Sequence, residues 1–374
     1  MTRATRAVID LSALRHNLAQ TRRAAPQSKI IAVVKANGYG HGLMRVARAL
    51  SGVDAFGVAC LDEALALRAA EITTPIVLLE GFTLPEDIEQ LARHDLQAVV
   101  HHDTQVQMLE AAASKPLAVW LKVDTGMHRL GFAPAVVPAM HARLTRCAGV
   151  APDIRFMTHL ANADDRGSAL TVQQVALFED TIRGFDGERS IGNSAGLLGW
   201  PECRSDWVRP GIMLYGVSPF AEASGAQHGL RPVMTLHSEL IAVNHFRRGD
   251  PIGYGGIWRC PEDMPVGVVA IGYGDGYPRH AESGTPVLVN GRRVPLVGRV
   301  SMDMVCVDLR RQPRARVGDP VILWGDGLPV EEVAQHAGTI GYQLLCAVTQ
   351  RVRFVEHDDA DSAAKHDRSI RAGR

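Results

Sequence analysis

Ala32-Val33-Val34-Lys35-Ala36-Asn37-Gly38-Tyr39-Gly40-His41-Gly42 joins an apolar run to a lysine and three alternating glycines. Residues 30–34 are continuously apolar and rich in β-branched side chains, the pattern of a strand buried on both faces. Lys35 closes that run, and an ammonium at the end of a buried strand is costly unless it is paired, titrates or is used covalently. Gly38, Gly40 and Gly42 let the backbone approach a ligand, and Tyr39 adds a hydroxyl. Two readings stand at this point: a Schiff-base lysine facing a phosphate-bearing ligand, or a lysine snorkelling from a strand end before a glycine-rich turn.

Outward from this stretch the chain alternates. A short strand over residues 5–10 leads, through a cap at Asp10 or Ser12, into a helix over residues 13–25. Strand-like runs at residues 29–35, 55–59, 76–79, 97–101, 117–123, 154–159, 189–191 and 207–208 are then separated by segments of helical period, such as 62–70 and 173–182. About eight β/α units within some 230 residues match the count and size of a TIM (β/α)8 barrel. A doubly wound open sheet is the competing arrangement, because alternation alone does not show closure.

Beyond residue 229 helical stretches nearly vanish, and runs at 234–243, 266–271, 286–289, 304–307 and 320–323 are punctuated by Gly, Pro and Asn-Gly. Asn290-Gly291 is the clearest hairpin signal, and one helix is expected over residues 329–337. The expected α/β organisation is therefore a strand at residues 1–10 that joins the later β-domain, a barrel over 11–229, a mostly β C-terminal domain over 230–356 and a mobile tail over 357–374.

Composition narrows the function. Forty basic and forty acidic side chains leave no field that selects nucleic acid or an anionic membrane, so a small-molecule partner is expected. The six cysteines are widely spaced without a Cys-x-x-Cys, so neither a metal site nor a disulfide framework is indicated. The N-terminus has no apolar signal core, and no run approaches the roughly 18 apolar residues of a membrane span, so a cytoplasmic protein without membrane partners is expected.

In a barrel, reactive side chains gather at the C-terminal ends of strands. Lys35, Lys122, Asp124, His159, Ser194 and Arg209 all fall there on the strand assignment. Each alone reads as readily as a surface or capping residue; together they converge on one mouth. Gly211 and Ile212 are expected to begin a short helix whose N–H groups suit a phosphate, with the Ser194 hydroxyl nearby. The glycines at 253–256 and 272–276 lack the spacing of a dinucleotide fingerprint.

Five stretches, in order, carry a resemblance: residues 32–42; Lys122-Val123-Asp124-Thr125-Gly126-Met127-His128-Arg129-Leu130-Gly131; Thr158-His159-Leu160-Ala161-Asn162-Ala163-Asp164; Arg209-Pro210-Gly211-Ile212-Met213-Leu214-Tyr215-Gly216; and Gly298-Arg299-Val300-Ser301-Met302-Asp303. Over nearly its whole length the chain resembles the alanine racemases, pyridoxal 5'-phosphate enzymes built of a barrel and a β-domain. The resemblance implies interconversion of L- and D-alanine by two bases at Cα. Lys35 matches the lysine that binds the cofactor covalently and then acts as one base; Tyr254 matches the opposite base, supplied by the other subunit of a homodimer. Arg209 matches the arginine facing the pyridine nitrogen, with His159 beside it. Tyr39, Ser194, Gly211, Ile212 and Tyr342 match phosphate contacts, and Arg129 with the Met302 backbone matches the substrate-carboxylate site. Lys122 corresponds to a lysine that is often carbamylated, and Asp164, Tyr273, Arg279 and Arg299 to the entrance. Gly38 stands where the family more often has alanine.

Racemisation needs a base on each side of the cofactor plane, and lysine with tyrosine supplies them. A guanidinium opposite the pyridine nitrogen keeps that nitrogen unprotonated and weakens the electron sink, which favours proton transfer over decarboxylation. A racemase of another small amino acid such as serine, a non-enzymatic pyridoxal-phosphate protein and a cofactor-free Schiff-base aldolase are the alternatives. The pyridoxal-phosphate protein would keep Lys35 and the phosphate loop but would not need the β-domain with Tyr254, and the aldolase would need Lys35 but no pyridine-facing arginine.

Overall fold

The computed structural model describes residues 4–112 and 115–358. Contacts gather them into two units: Leu18–Leu214 forms one, and the described residues up to Asn17 and from Tyr215 onward form the other. The division falls at Leu214, whereas the change of pattern in the sequence falls at residue 229. The tail read over 357–374 lies outside the described residues from 359 on.

The first unit is a closed parallel barrel of eight strands, β2 (Lys29–Val33), β3 (Ala55–Val58), β4 (Ile76–Leu78), β5 (Leu96–Val100), β6 (Val119–Lys122), β7 (Arg155–Met157), β8 (Arg189–Ser190) and β9 (Trp207–Val208). Closure is made by β2 against β9, with Lys29 opposite Trp207 and Ile30 opposite Val208, so the open-sheet alternative falls away. Ile31, Ala55, Val77, Val99, Trp120, Met157 and Trp207 fill the interior, and the two indoles meet edge-to-face at 5.7 Å. At the strand starts, Glu188 accepts from Lys29 (2.6 Å), Arg155 (3.0 Å) and the Trp207 indole (2.7 Å), tying the floor of the barrel together. Functional side chains are thereby left to the opposite, C-terminal ends.

The second unit is an eight-stranded sheet. β1 (Arg6–Asp10) lies between β10 (Met234–Phe246), to which it is antiparallel, and β18 (Arg353–His357), to which it is parallel. The helix Leu11–Ala24 follows β1, and Asp10 Oδ1 accepts from the Ala13 N–H at 3.0 Å and the Ser12 hydroxyl at 2.7 Å, an N-terminal cap. β11 (Pro251–Ile252) and β12 (Trp258–Arg259) form a separate ribbon. β13 (Met264–Val269), β14 (Pro286–Val289), β15 (Arg292–Val297), β16 (Val305–Asp308) and β17 (Pro320–Trp324) complete the main sheet in the order β13-β16-β15-β14-β17-β10-β1-β18, and β13 also pairs with β10. Asn290 and Gly291, at φ 50° and 73°, form the two-residue turn between β14 and β15, as Asn-Gly requires. The helix Val330–His336 buries Val330, Val333 and Ala334, and a further helix, Gly341–Ala347, carries Tyr342. That last helix has no counterpart in the sequence reading.

Candidate active site

The strand before Lys35 ends earlier than its sequence suggests. β2 stops at Val33, and Ala36, Asn37, Gly38, Tyr39 and Gly40 all have positive φ, from 51° to 79°. Lys35 therefore opens a left-handed turn, closed by Gly38 N–H to Val34 O (2.8 Å), Gly40 N–H to Ala36 O (3.0 Å) and Gly42 N–H to Asn37 O (2.8 Å). Buried His41 sets its Nδ1 2.8 Å from Tyr39 O, and burial pulls its pKa down to about 4, so the ring is neutral and donates to that carbonyl. The same turn presents Tyr39: a Cβ placed on Gly211 would lie 2.5 Å from the Tyr39 hydroxyl, so only glycine allows this approach of ring and backbone.

Arg209 follows β9 and is 3% exposed. Its Nη1 donates to Ser190 Oγ at 2.6 Å, and its Nη2 to Thr158 O at 2.6 Å and Ile191 O at 3.2 Å; none of these bonds uses Nε. Nη2 also lies 3.3 Å from His159 Nδ1. All four partners are neutral. Burial draws the guanidinium down to about 10, still protonated at neutral pH.

His159 is pushed well below the ordinary histidine value by burial, then by Arg209, Lys122, Arg129 and Lys35, so its ring is neutral. Nδ1 then accepts from Arg209 and Nε2 carries the proton. Its carbonyl is held by Gln174 Nε2 at 3.1 Å, and Gln174 Oε1 takes the Ala161 N–H at 2.9 Å, fixing the chain after β7.

Lys122, the last residue of β6, is 7% exposed. Burial and the charges of Arg209, Arg129 and Lys35 lower it to about 8, opposed by Asp124. Asp124 accepts the Gly126 and His128 N–H groups, each at 3.0 Å; burial raises its pKa, and these bonds outweigh that and hold it below the usual carboxylate value. The loop returns through Phe132 N–H to Lys122 O at 2.9 Å and carries Arg129, which is exposed.

Ser194 heads the helix Ser194–Gly199, and its hydroxyl accepts from Gly211 N–H at 2.9 Å and Met213 N–H at 3.3 Å. The helix expected at Gly211 is a 3-10 turn beginning at Ile212. Arg209, Arg129 and Lys35 thus act on Lys122, and all four cations on His159, at the barrel mouth, while the exposed Glu80 lies 3.6 Å from Lys35 Nζ. Such an excess of like charge suits an anionic group. Asp164, also on this unit, is exposed.

In the β unit, Tyr254 lies on a turn between β11 and β12 with Gly253, Gly255 and Gly256 all at positive φ, and is 67% exposed. Tyr273, Arg279, Arg299 and Met302 are exposed, and Tyr342 is half-buried. The 272–276 loop and Met302 are joined by Gly274 N–H to Met302 O at 2.9 Å.

Residues 9–219 match the family model for the alanine racemase N-terminal domain, and residues 233–356 that for its C-terminal domain. The chain belongs to the alanine racemase family. The Nitrosococcus oceani alanine racemase is 59% identical over 92% of this chain and 97% of its own, and that of Vibrio cholerae 55% identical over 94% and 98%. The crystal structure of the biosynthetic alanine racemase from Pseudomonas aeruginosa superposes with a TM-score of 0.93, at 48% identity, covering 95% of this chain and 99% of that one. The reaction is that of the alanine racemases: an isomerase interconverting L- and D-alanine. Among the described residues no helix is long and apolar enough to cross a membrane.

Sequence reading passed over Ser190 and Thr158, which hold Arg209, and Glu63 and Glu80 beside Lys35. The only local signal for Glu63 was its place in the first turn of a helix following a strand.

Proposed function

We propose that the barrel unit holds pyridoxal 5'-phosphate, joined through its aldehyde carbon to Lys35 Nζ, and racemises alanine with Lys35 and Tyr254 as the two bases. The buried Arg209 guanidinium, fixed by neutral acceptors at the same mouth as Lys35, is the observation that carries this reading. The surrounding residues fit the cofactor: excess positive charge, a glycine at 211 against the Tyr39 hydroxyl, and the Ser194 hydroxyl beside the Ile212 turn form a cradle for a phosphate. Tyr342 adds a phosphate contact in this reading.

When bound, the cofactor supplies an electron sink that acidifies the Cα–H of the amino acid it carries. Lys35 takes or returns the Cα proton on one face, and Tyr254 does so on the other. Arg209, through the Nε–H outside its four bonds, would face the ring nitrogen and, remaining protonated, keep that nitrogen without a proton. Neutral His159 stands beside it without adding charge. Arg129 and the Met302 backbone hold the substrate carboxylate, while Lys122, whose lowered pKa leaves free amine near neutral pH, would add to carbon dioxide and lose one N–H proton to solvent, giving a carbamate that orients Arg129. Asp164, Tyr273, Arg279 and Arg299 line the entrance.

We further propose a homodimer whose sites are completed by Tyr254 of the second copy; an exposed tyrosine on a glycine-flanked turn is built to reach another surface. Cysteines that form no disulfide among the described residues accord with a cytoplasmic location.

Borohydride reduction followed by peptide mapping tests the central assignment. The reduced adduct is expected on the peptide containing Lys35, and an adduct on Lys122 or another lysine overturns it.

A further inference from the structure

Five consecutive residues at positive φ are expensive. A left-handed turn costs L-residues roughly 1–2 kcal/mol each, and Ala36, Asn37 and Tyr39 lack the freedom of glycine. Such a turn persists only where its surroundings over-determine it. Part of the hold is internal: the turn's own hydrogen bonds, His41 on the Tyr39 carbonyl, and Asn37 Oδ1 accepting the Leu43 N–H at 2.9 Å. The Ala36 N–H, in the peptide linking Lys35 to the turn, lies outside that set. It donates to Glu63 Oε1 at 2.7 Å, and the other oxygen, Oε2, accepts the Ala59 N–H at 2.9 Å.

Ala59 directly follows β3, the parallel neighbour of β2, where Val33 is opposite Gly57. One carboxylate therefore spans the C-terminal ends of two adjacent barrel strands. Glu63 sits in the first turn of the helix Leu61–Ala69, where the helix dipole favours a negative charge. An ordinary capping role needs only the local N–H; the bond to Ala36 crosses to another strand. A carboxylate only accepts, so it can serve both N–H groups, and bonds from N–H groups to an ionised acceptor are the stronger kind.

We propose that Glu63 is a positioning residue for the reaction: it fixes the Lys35–Ala36 peptide and so the origin from which the lysine side chain reaches. The inference rests on Lys35 as the cofactor-bearing lysine.

Glu63→Gln is the sharp variant, because it keeps the shape while one of its two acceptors becomes an NH2 facing an N–H. Asp62→Asn removes a like charge from the same helical turn at an exposed side chain and serves as control. In E63Q we expect kcat to fall by about 10- to 100-fold with KM changed less than about threefold, since a misaimed lysine costs the chemical step more than binding. In the full chain without cofactor, backbone amides of residues 34–42 should exchange about tenfold faster in E63Q, while those of 96–100 keep the unmodified protein's rates. D62N should match the unmodified protein in both measurements. E63D retains the charge but shortens the reach by one methylene; if E63Q does not fold, the same kcat loss and local exchange in E63D carry the test.

A kcat and turn exchange within about twofold of the unmodified protein in the tested variant overturn the proposal, as does a D62N loss equal to that of E63Q or faster exchange across all barrel strands. The exchange measurement needs neither cofactor nor turnover. Peptide mapping that places the adduct on another lysine therefore refutes the reading of Lys35, while unchanged exchange at residues 34–42 refutes the clamp.

Discussion

The candidate site residues at the strand ends of the barrel unit and those on the turns and loops of the β unit differ in burial. Arg209, Lys122 and Ser194 are buried at strand ends, and Arg209 is fixed by four bonds to neutral acceptors. Tyr254, Tyr273, Arg279, Arg299 and Met302 are exposed, on turns and loops. Charge that must act in a low dielectric has to be held by an over-determined frame, because a buried cation without partners is costly. A residue that completes a site on another surface needs reach and an uncovered face.

The sharpest way to break this contrast is to separate Lys35 from Tyr254. Lys35→Ala and Tyr254→Phe are each expected to lower kcat by at least about 10³-fold. Mixed under conditions of subunit exchange, the two inactive proteins should regain activity, since a heterodimer with shared sites has one site bearing both residues and one lacking both. No recovery, in a sample shown by tag capture to contain heterodimers, would sink the shared-site reading.

Charge substitution compares the units directly. Arg209→Glu places a carboxylate against the Thr158 and Ile191 carbonyls and should cost about 3–5 kcal/mol in denaturant unfolding. In the protein that still folds, transamination should rise relative to racemisation. Arg279→Gln, on an exposed loop, should stay within about 0.5 kcal/mol. Equal costs at the two positions, or an unchanged product ratio in R209E, would remove the distinction.

Acid provides a third probe, aimed at the barrel alone. His41 titrates at about 4 in the folded chain, below the ordinary value of about 6.5 expected when unfolded. Between these values the unfolded chain binds the proton, so this stability is intact above about pH 6.5 and is lost as pH falls to about 4. The loss is about 3 kcal/mol at most. His41→Gln should flatten that slope in urea titrations, whatever its own effect at neutral pH; an unchanged slope would show that His41 is not responsible.

The smallest effect concerns Lys122. Its neutral amine fraction grows as pH rises through about 8, and only that form reacts with carbon dioxide. With ¹³C-bicarbonate, a carbamate signal should strengthen from pH 7 to pH 9 and vanish in Lys122→Arg. A signal that survives the substitution would place the carbamate elsewhere.

Much was legible along the chain because it is written locally. Period-two and period-3.6 patterning separated strand from helix, Asn290-Gly291 set a hairpin, and the residues around Lys35 and Arg209 marked the mouth of a barrel. Tyr254 entered through the resemblance to the alanine racemases. Other features depended on partners distant in sequence. A continuous apolar run ending in lysine predicts a strand through residue 35, yet β2 ends at Val33 and the chain turns left-handed.

The sequence by itself determined the alternation that makes a barrel, the switch to β structure and the residue types at strand ends, since these follow from side-chain periodicity and turn chemistry within a few residues. Only the tertiary structure decided that Ala36, Asn37 and Tyr39 adopt positive φ, that Glu63 joins two strand ends, and that Arg209 is ringed by neutral acceptors. Each opposes a local preference or depends on groups 18 to 51 residues away, and closing the barrel is what brings those groups within hydrogen-bond distance.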